Sequence, residues 1–310
     1  MGGINLNPQA VVSAGHPGGG GIHDAYVEIE GPSATDVHHN FVQRWNGASE
    51  RGLRNGSWGP YADKELQFPR HTTTPCGSAS VQIQRNLHAG LYGTTHPAPD
   101  APNFPVADGE YSIRQQYLDA ITGAQQSIYI ENQALSVSLI VDALRAAVRR
   151  GVDVIVLLPA EPEGWFITAR ADLKNRAFFE VLSSLGRFDN FSLCGIASLD
   201  LSGRRRPIYV HAKLMIVDGV WATIGSCNLH RNSLFGHSEL NAAIWCSDFA
   251  RRLRCELFAE HLGVDTASID ECAAHSRFRD IARENARRSE FGIHDWQGLA
   301  FALDPSRYGD

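Results

Sequence analysis

Tyr209-Val210-His211-Ala212-Lys213-Leu214-Met215-Ile216-Val217-Asp218 leads through Gly219 to Trp221-Ala222-Thr223-Ile224-Gly225-Ser226-Cys227-Asn228. The apolar run from Ile208 to Val217 predicts a strand, and residues two apart on a strand share a face. His211 and Lys213 then project together. Met215 and Val217 continue that face, and Val210, Ala212, Leu214 and Ile216 line the other. Asp218-Gly219 is a turn signal, and Trp221 to Ile224 reads as the return strand of a hairpin. Asp218 secures that turn. The hairpin carries Gly225, Ser226 and Asn228 back toward His211 and Lys213. An imidazole, an ammonium, a hydroxyl and an amide then converge on one spot.

That set suits a phosphodiester. Lys213 supplies positive charge to the non-bridging oxygens, and Ser226 and Asn228 supply hydrogen bonds. Backbone N–H groups near Gly225 can come close because no side chain intervenes. His211 can attack phosphorus or protonate a leaving alkoxide, since imidazole titrates near neutrality. The set needs no metal and no cofactor. Six residue types at fixed offsets match by chance with a probability on the order of 10⁻⁵ in a chain this long.

Outward from this hairpin, strands alternate with helices: strands at 127–130, 152–158 and 191–197, helices at Leu139 to Arg150 and Thr168 to Ser184. Further helices are predicted around Ile113, Tyr117 and Ile121, over Asp248 to Leu262, and over Ile269 to Arg288. The expected fold is an α/β sandwich around a largely buried sheet. Toward the N-terminus, Ala25 to Glu30 and Ser80 to Arg85 alternate like strands, and Thr35 to Asn46 has helical spacing. The run Gly15 to Gly21 is a flexible loop, and 47–78 and 93–109 read as long loops. Three aromatic side chains in Gly/Pro-bearing segments, Trp58, Trp165 and Phe166, are candidates for a lipid interface, although aromatics in such segments more often belong to the core.

The 310 residues carry 28 Lys plus Arg against 34 Asp plus Glu, a net charge of −6. Sequence-independent binding of nucleic acid requires a basic surface, so a nucleic-acid partner is not expected. The six cysteines have no C-x-x-C spacing and no zinc pattern, and are expected to be reduced and mostly buried. No run approaches the length of a membrane span. The N-terminus shows neither a secretory signal nor a myristoylation pattern. These features predict a cytoplasmic protein acting peripherally at a membrane.

His211-x-Lys213-x4-Asp218-x6-Gly225-Ser226-x-Asn228 resembles the signature motif of the phospholipase D superfamily. Ser127-Ile128-Tyr129-Ile130-Glu131-Asn132-Gln133 resembles the "IENQ" element of its classical phospholipase D branch. His23-Asp24, Gly31-Pro32 and Phe41-Val42-Gln43-Arg44-Trp45-Asn46 resemble the stretch that follows the first of that family's two active-site motifs. The resemblance implies two phospholipase D-like lobes, each a mostly buried sheet flanked by helices, sharing one site. Residues 1–108 would be an incomplete first lobe and residues 109–310 the second.

The second motif is complete. The first is represented only by Gly2-Gly3-Ile4-Asn5-Leu6, which matches Gly225-Ser226-Cys227-Asn228-Leu229. No other H-x-K-x4-D occurs in the sequence. A segment missing upstream, an inactive paralogue, or a homodimer sharing one site would each account for this. The resemblance implies that one histidine forms a phosphohistidine while His211 acts as general acid and then base. Lys213, Asn228 and Asn5 would hold phosphate. Asp24 would orient one imidazole, and Glu239, its counterpart after Ser238, the other. The implied reaction is hydrolysis of phosphatidylcholine-like lipids to phosphatidate and a head-group alcohol, with transphosphatidylation as an expected side reaction; a nuclease or other phosphodiesterase of the same superfamily is the alternative, which the acidic balance disfavours.

Overall fold

In the computed structural model, residues 1–4, 8–48, 64–92, 96–101 and 105–310 are described. The strands are β1 (Ile22–His23), β2 (Ser80–Leu87), β3 (Glu110–Tyr111), β4 (Ser127–Glu131), β5 (Asp153–Leu157), β6 (Phe191–Leu199), β7 (Arg205–Val210), β8 (Leu214–Val217), β9 (Trp221–Gly225), β10 (Glu239–Trp245) and β11 (Ala300–Leu303). The helices are α1 (Pro32–Gly47), α2 (Ser112–Gly123), α3 (Ser138–Arg149), α4 (Gly164–Ala171), α5 (Arg176–Leu185), α6 (Arg231–Phe235), α7 (Ser247–Leu262) and α8 (Glu271–Glu290).

All these strands join one mixed sheet in the order β1-β7-β6-β5-β4-β8-β9-β10-β2-β3, with β11 added on β6. Strands β4, β5 and β6 are parallel neighbours, as expected for strands followed by crossover helices. Strand β2 from the N-terminal third pairs antiparallel with β10.

The central strands are apolar on both faces because helices cover both. Ile128, Ile130, Val154, Val156, Met215 and Val217 pack into one core with residues of α2, α3 and α5. Their chain neighbours Tyr129, Ile155, Leu157, Leu214 and Ile216 pack into the other with Phe258 of α7 and Phe278 of α8. The alternation expected for Leu214 to Val217 is thus present, but neither face meets water.

The run expected as one strand from Ile208 to Val217 is two strands. β7 pairs with β6, whereas β8 pairs with β4 and β9. His211, Ala212 and Lys213 lie between them, outside both ladders. Four residue steps reach at most about 14 Å. Four strand spacings in a flat sheet would be about 19 Å. The sheet must therefore curl to bring β7 and β8 within reach, and the motif sits at the crossing.

Two other expectations change. The helix expected over Thr168 to Ser184 is α4, a 3₁₀ turn at Leu173–Asn175, and α5. Asp172 is extended between them, and its carboxylate accepts the Lys174 N–H, ending one helix and capping the next turn. The alternating run Ala25 to Glu30 forms no strand. It makes one bridge, Tyr26 to Gly2, beside hydrogen bonds between Met1 and Val27. Alternation reports a half-buried face, but a ladder also needs a partner backbone, and among the described residues only Met1 and Gly2 supply one. Of the cysteines, Cys194 and Cys227 are buried while Cys76 and Cys272 are exposed, so burial is not general.

Candidate active site

The backbone at the crossing is tied to the N-terminal segment. The His23 carbonyl accepts N–H groups from His211 at 2.7 Å and Ala212 at 3.2 Å, and the Lys213 carbonyl accepts from Gly225 at 3.0 Å. These bonds fix three residues that no strand holds. They also place Asp24 next to the motif. Its Oδ2 lies 2.8 Å from His211 Nδ1. A carboxylate there accepts a hydrogen bond from Nδ1–H, which leaves Nε2 as the nitrogen that can act on a bound group. The His211 ring stacks beside Tyr209 at 6.3 Å. Asp24 and His211 are 187 residues apart, so a side chain from residues 1–108 reaches an imidazole of residues 109–310.

Lys213 is 2% exposed, and its ammonium donates to the His211 carbonyl. Burial pushes its pKa down to about 8, against the pull of Asp24, Glu239 and Glu163. Gly3 lies against its stem: a Cβ there would sit 2.8 Å from Lys213 Cδ. The N-terminal residues therefore pack on the motif lysine. Asn5, expected as a phosphate ligand, lies outside the described residues.

The hairpin returns as expected, with Asp218 at φ 53° and Gly219 at φ 63° in the turn. Asp218 does not face His211. Its carboxylate accepts the backbone N–H groups of Gln125, Gln126 and Ser127, securing the entry to β4 at the far end of β8. Gly225 is required by crowding, since a Cβ would come within 2.2 Å of Asn241 Oδ1. The N–H groups expected to reach phosphate are used within the protein: Gly225 to Lys213, Ser226 to Leu240, and Cys227 to Asn241 Oδ1. The Ser226 hydroxyl donates to Glu239 at 2.5 Å. Burial pushes the Glu239 carboxyl up, while Ser226, Ser233, His237 and Lys213 pull it down. Among the described residues no imidazole bonds Glu239.

Asn228 Nδ2 donates to Gln133 Oε1 at 3.2 Å, and its Oδ1 is buried without a partner. Asn132 holds the same loop, its Oδ1 accepting the N–H groups of Leu229 and Ala134. The residues after β4 thus grip the end of the motif.

Sequence reasoning missed a wall beside His211. Glu163 accepts hydrogen bonds from Tyr209, from Gln133 at 2.7 Å and from the Trp165 indole at 2.6 Å. Burial raises the Glu163 carboxyl, but these bonds outweigh it and hold the group below the ordinary carboxylate value. Tyr209 lies two residues before the motif, and Glu163 in a Pro/Gly-bearing stretch; neither carries a local signal. Of the interfacial aromatics, Trp165 is 42% exposed, Phe166 is buried in the core, and Trp58 lies outside the described residues.

A family model described as cardiolipin synthase, PLD-like domain, matches residues 117–261, which include the whole crossing and hairpin. The matched stretch holds His211, Lys213, Asp218 and Asn228, so the chain is similar there to the PLD-like domain. Phospholipase D1 of Schizosaccharomyces pombe is 27% identical over 310 residues, an alignment covering 81% of this chain and 22% of that protein. Phospholipase D beta 2 of Arabidopsis thaliana is 25% identical over 367 residues, covering 85% and 39%. The chain spans less than half the length of these curated relatives. Among solved structures, the phospholipase D family member Nuc from Salmonella typhimurium aligns with 57% of this chain and 90% of its own, at 22% identity and a TM-score of 0.36.

Proposed function

We propose that this chain supplies one histidine of a phospholipase D-type phosphodiesterase that cleaves phosphatidylcholine-like glycerophospholipids to phosphatidate and a head-group alcohol. The observation that carries the reading is the bond between Asp24 and His211 Nδ1, which leaves Nε2 to act beside a buried ammonium. A second imidazole, from another H-x-K-x4-D, attacks phosphorus and forms a phosphohistidine. His211 Nε2–H protonates the departing alkoxide. The same nitrogen then takes a proton from water, whose oxygen attacks phosphorus and breaks the P–N bond, freeing the second imidazole and releasing phosphatidate. An acceptor alcohol in place of water gives transphosphatidylation.

Three observations support a lipid substrate. The aligned relatives are phospholipases D by name. The net charge of −6 disfavours a polyanionic substrate. Trp165, Ile167 and Leu173 are 42%, 43% and 82% exposed on and just after α4, and the Trp165 indole bonds the Glu163 that holds Tyr209, so apolar side chains here can enter a lipid interface. No helix among the described residues is long and apolar enough to cross a membrane.

The test measures choline release from phosphatidylcholine vesicles beside hydrolysis of single-stranded DNA, with a second H-x-K-x4-D segment supplied. Choline release that His211→Ala abolishes is the expected result. Retention of more than a tenth of the turnover overturns the role of His211, and faster cleavage of DNA overturns the substrate.

A further inference from the structure

Away from the site, the described residues bury a cluster of ionisable groups that the proposed reaction does not use. Glu131, the last residue of β4, is 0% exposed, and its carboxylate takes three side-chain contacts. His23 Nε2 lies 2.8 Å from Oε2; His261 Nε2 and the Tyr129 hydroxyl lie 2.9 and 2.7 Å from Oε1. His23 Nδ1 is 3.3 Å from His16 Nε2, and His16 Nδ1 is 3.2 Å from the Gly20 carbonyl. Glu260 stands 3.8 Å from His16 and 4.0 Å from His23, and accepts the Gly15 N–H.

One proton arrangement satisfies this chain. His16 donates from Nδ1 to Gly20 and accepts at Nε2. A cationic His23 donates to His16 from Nδ1 and to an ionised Glu131 from Nε2. The shifts agree. Burial lowers His16. Burial also opposes charge on His23, but Glu131 outweighs it and raises the imidazole. Burial likewise opposes charge on Glu131, and His23 with His261 overcomes it, holding the carboxyl well below its usual range.

The cluster grips a segment that has little order of its own. Gly15, Gly18, Gly19 and Gly21 all have positive φ, and so does His16 at 48°. Such a strap loses much conformational entropy when fixed. Its two ring contacts, with hydrogen bonds from Ser198 Oγ to the carbonyls of Gly15 and His16, fasten it. At its end the His23 carbonyl holds the His211 backbone, and Asp24 holds the His211 ring.

We propose that Glu131 is a positioning residue: through His23 its buried carboxylate locks the strap 15–24, and so sets Asp24 against His211 Nδ1. The inference rests on His211 being the reacting group, but the placement it asserts can be read without turnover. In protein labelled with ¹⁵N-histidine, the wild type should show one His211 tautomer with a slowly exchanging Nδ1 proton, to be assigned by its change in Asp24→Asn. Glu131→Gln, which keeps the shape and removes the charge, is expected to broaden or shift that His211 signal although Glu131 does not touch the ring. With a competent second motif present, it should lower kcat about tenfold or more and leave KM within twofold. Tyr129→Phe removes one of the three contacts and decides the matter if Glu131→Gln does not fold; it should shift the same signal in the same direction. A folded Glu131→Gln protein with the wild-type His211 signal and kcat overturns the proposal, as does an unshifted Tyr129→Phe signal. The donor atoms of His23, Glu131 and His261 lie within 4.8 Å of one another. Stoichiometric zinc retained by wild type and lost by Glu131→Gln would also overturn it, in favour of a metal site.

Discussion

A lysine on a motif is usually treated as a fixed positive charge, but Lys213 is held where that charge is costly. Burial brings its pKa down to about 8. Its affinity for a phosphodiester anion should therefore be constant below pH 8 and fall as pH rises through it, because the neutral amine attracts no anion. Diethyl phosphate stays a monoanion over this range and isolates the protein's titration. Between pH 7 and pH 9 its Kd, measured by calorimetry, should rise about tenfold. Lys213→Met should bind weakly with no such step. A wild-type Kd that stays flat to pH 9.5 would show that the ammonium is not poised in this way. The proximity of His211 and Lys213 was legible in the sequence, but the cause was not. A strand face was expected; a strand crossing delivers them. The inward turn of Ser226 and the crowding at Gly225 depend on Glu239 and Asn241 across the β9–β10 pairing, which local spacing does not encode.

Among the elements, the contact of α8 with the sheet carries a pH liability. His275 is 0% exposed; its Nδ1 faces the Glu271 carbonyl at 3.0 Å, Nε2 has no partner, and the ring lies 5.3 Å from Phe258. Burial is the main cause that pushes its pKa down to about 4, with Arg254 and Arg279 adding to it. The unfolded chain then binds the proton first, at about pH 6.5, and the folded state follows only near pH 4. Stability is lost as pH falls through that window, by on the order of 3 kcal/mol from this residue. Thermal denaturation of wild type and His275→Gln at pH 7 and pH 4.5 should show the variant losing less Tm on acidification. Equal losses would mean the imidazole is hydrated or already charged. The helices α1, α2, α3, α7 and α8 and the strands β4 to β6 were readable because apolar periodicity and burial coincide there. The break at Asp172 was not, since one aspartate in an apolar-periodic run signals either an exposed face or a cap. The run Ala25 to Glu30 failed for the opposite reason: its alternation is real, but its partner backbone is only two residues long.

At the scale of the molecule, charge decides what one motif can do. Among the described residues, Lys213 is the ammonium beside His211, and Asp24, Glu239 and Glu163 are the carboxylates whose charge it feels. Asp24 is matched by the imidazole whenever His211 is protonated, but Glu239 bonds no imidazole among the described residues. A phosphodiester entering this field meets more negative than positive charge. Its binding requires further cations, and the chemistry requires a second imidazole, since one ring cannot attack phosphorus and protonate the leaving oxygen in the same step. A second H-x-K-x4-D, as proposed above, would supply both: a lysine for the phosphate, and a histidine that Glu239 could orient. The 310-residue chain alone should therefore release choline at least a hundredfold more slowly than the same chain with a second motif, because losing one of two cooperating groups commonly removes several orders of magnitude. The experiment compares the purified chain, a mixture with a segment carrying H-x-K-x4-D, and a fusion of the two, with molar mass in solution measured for each. Equal turnover by a monomer without the segment would refute two-histidine chemistry. Full turnover by a dimer of the chain would place both histidines in a site shared by two copies, each His211 facing the other's Glu239.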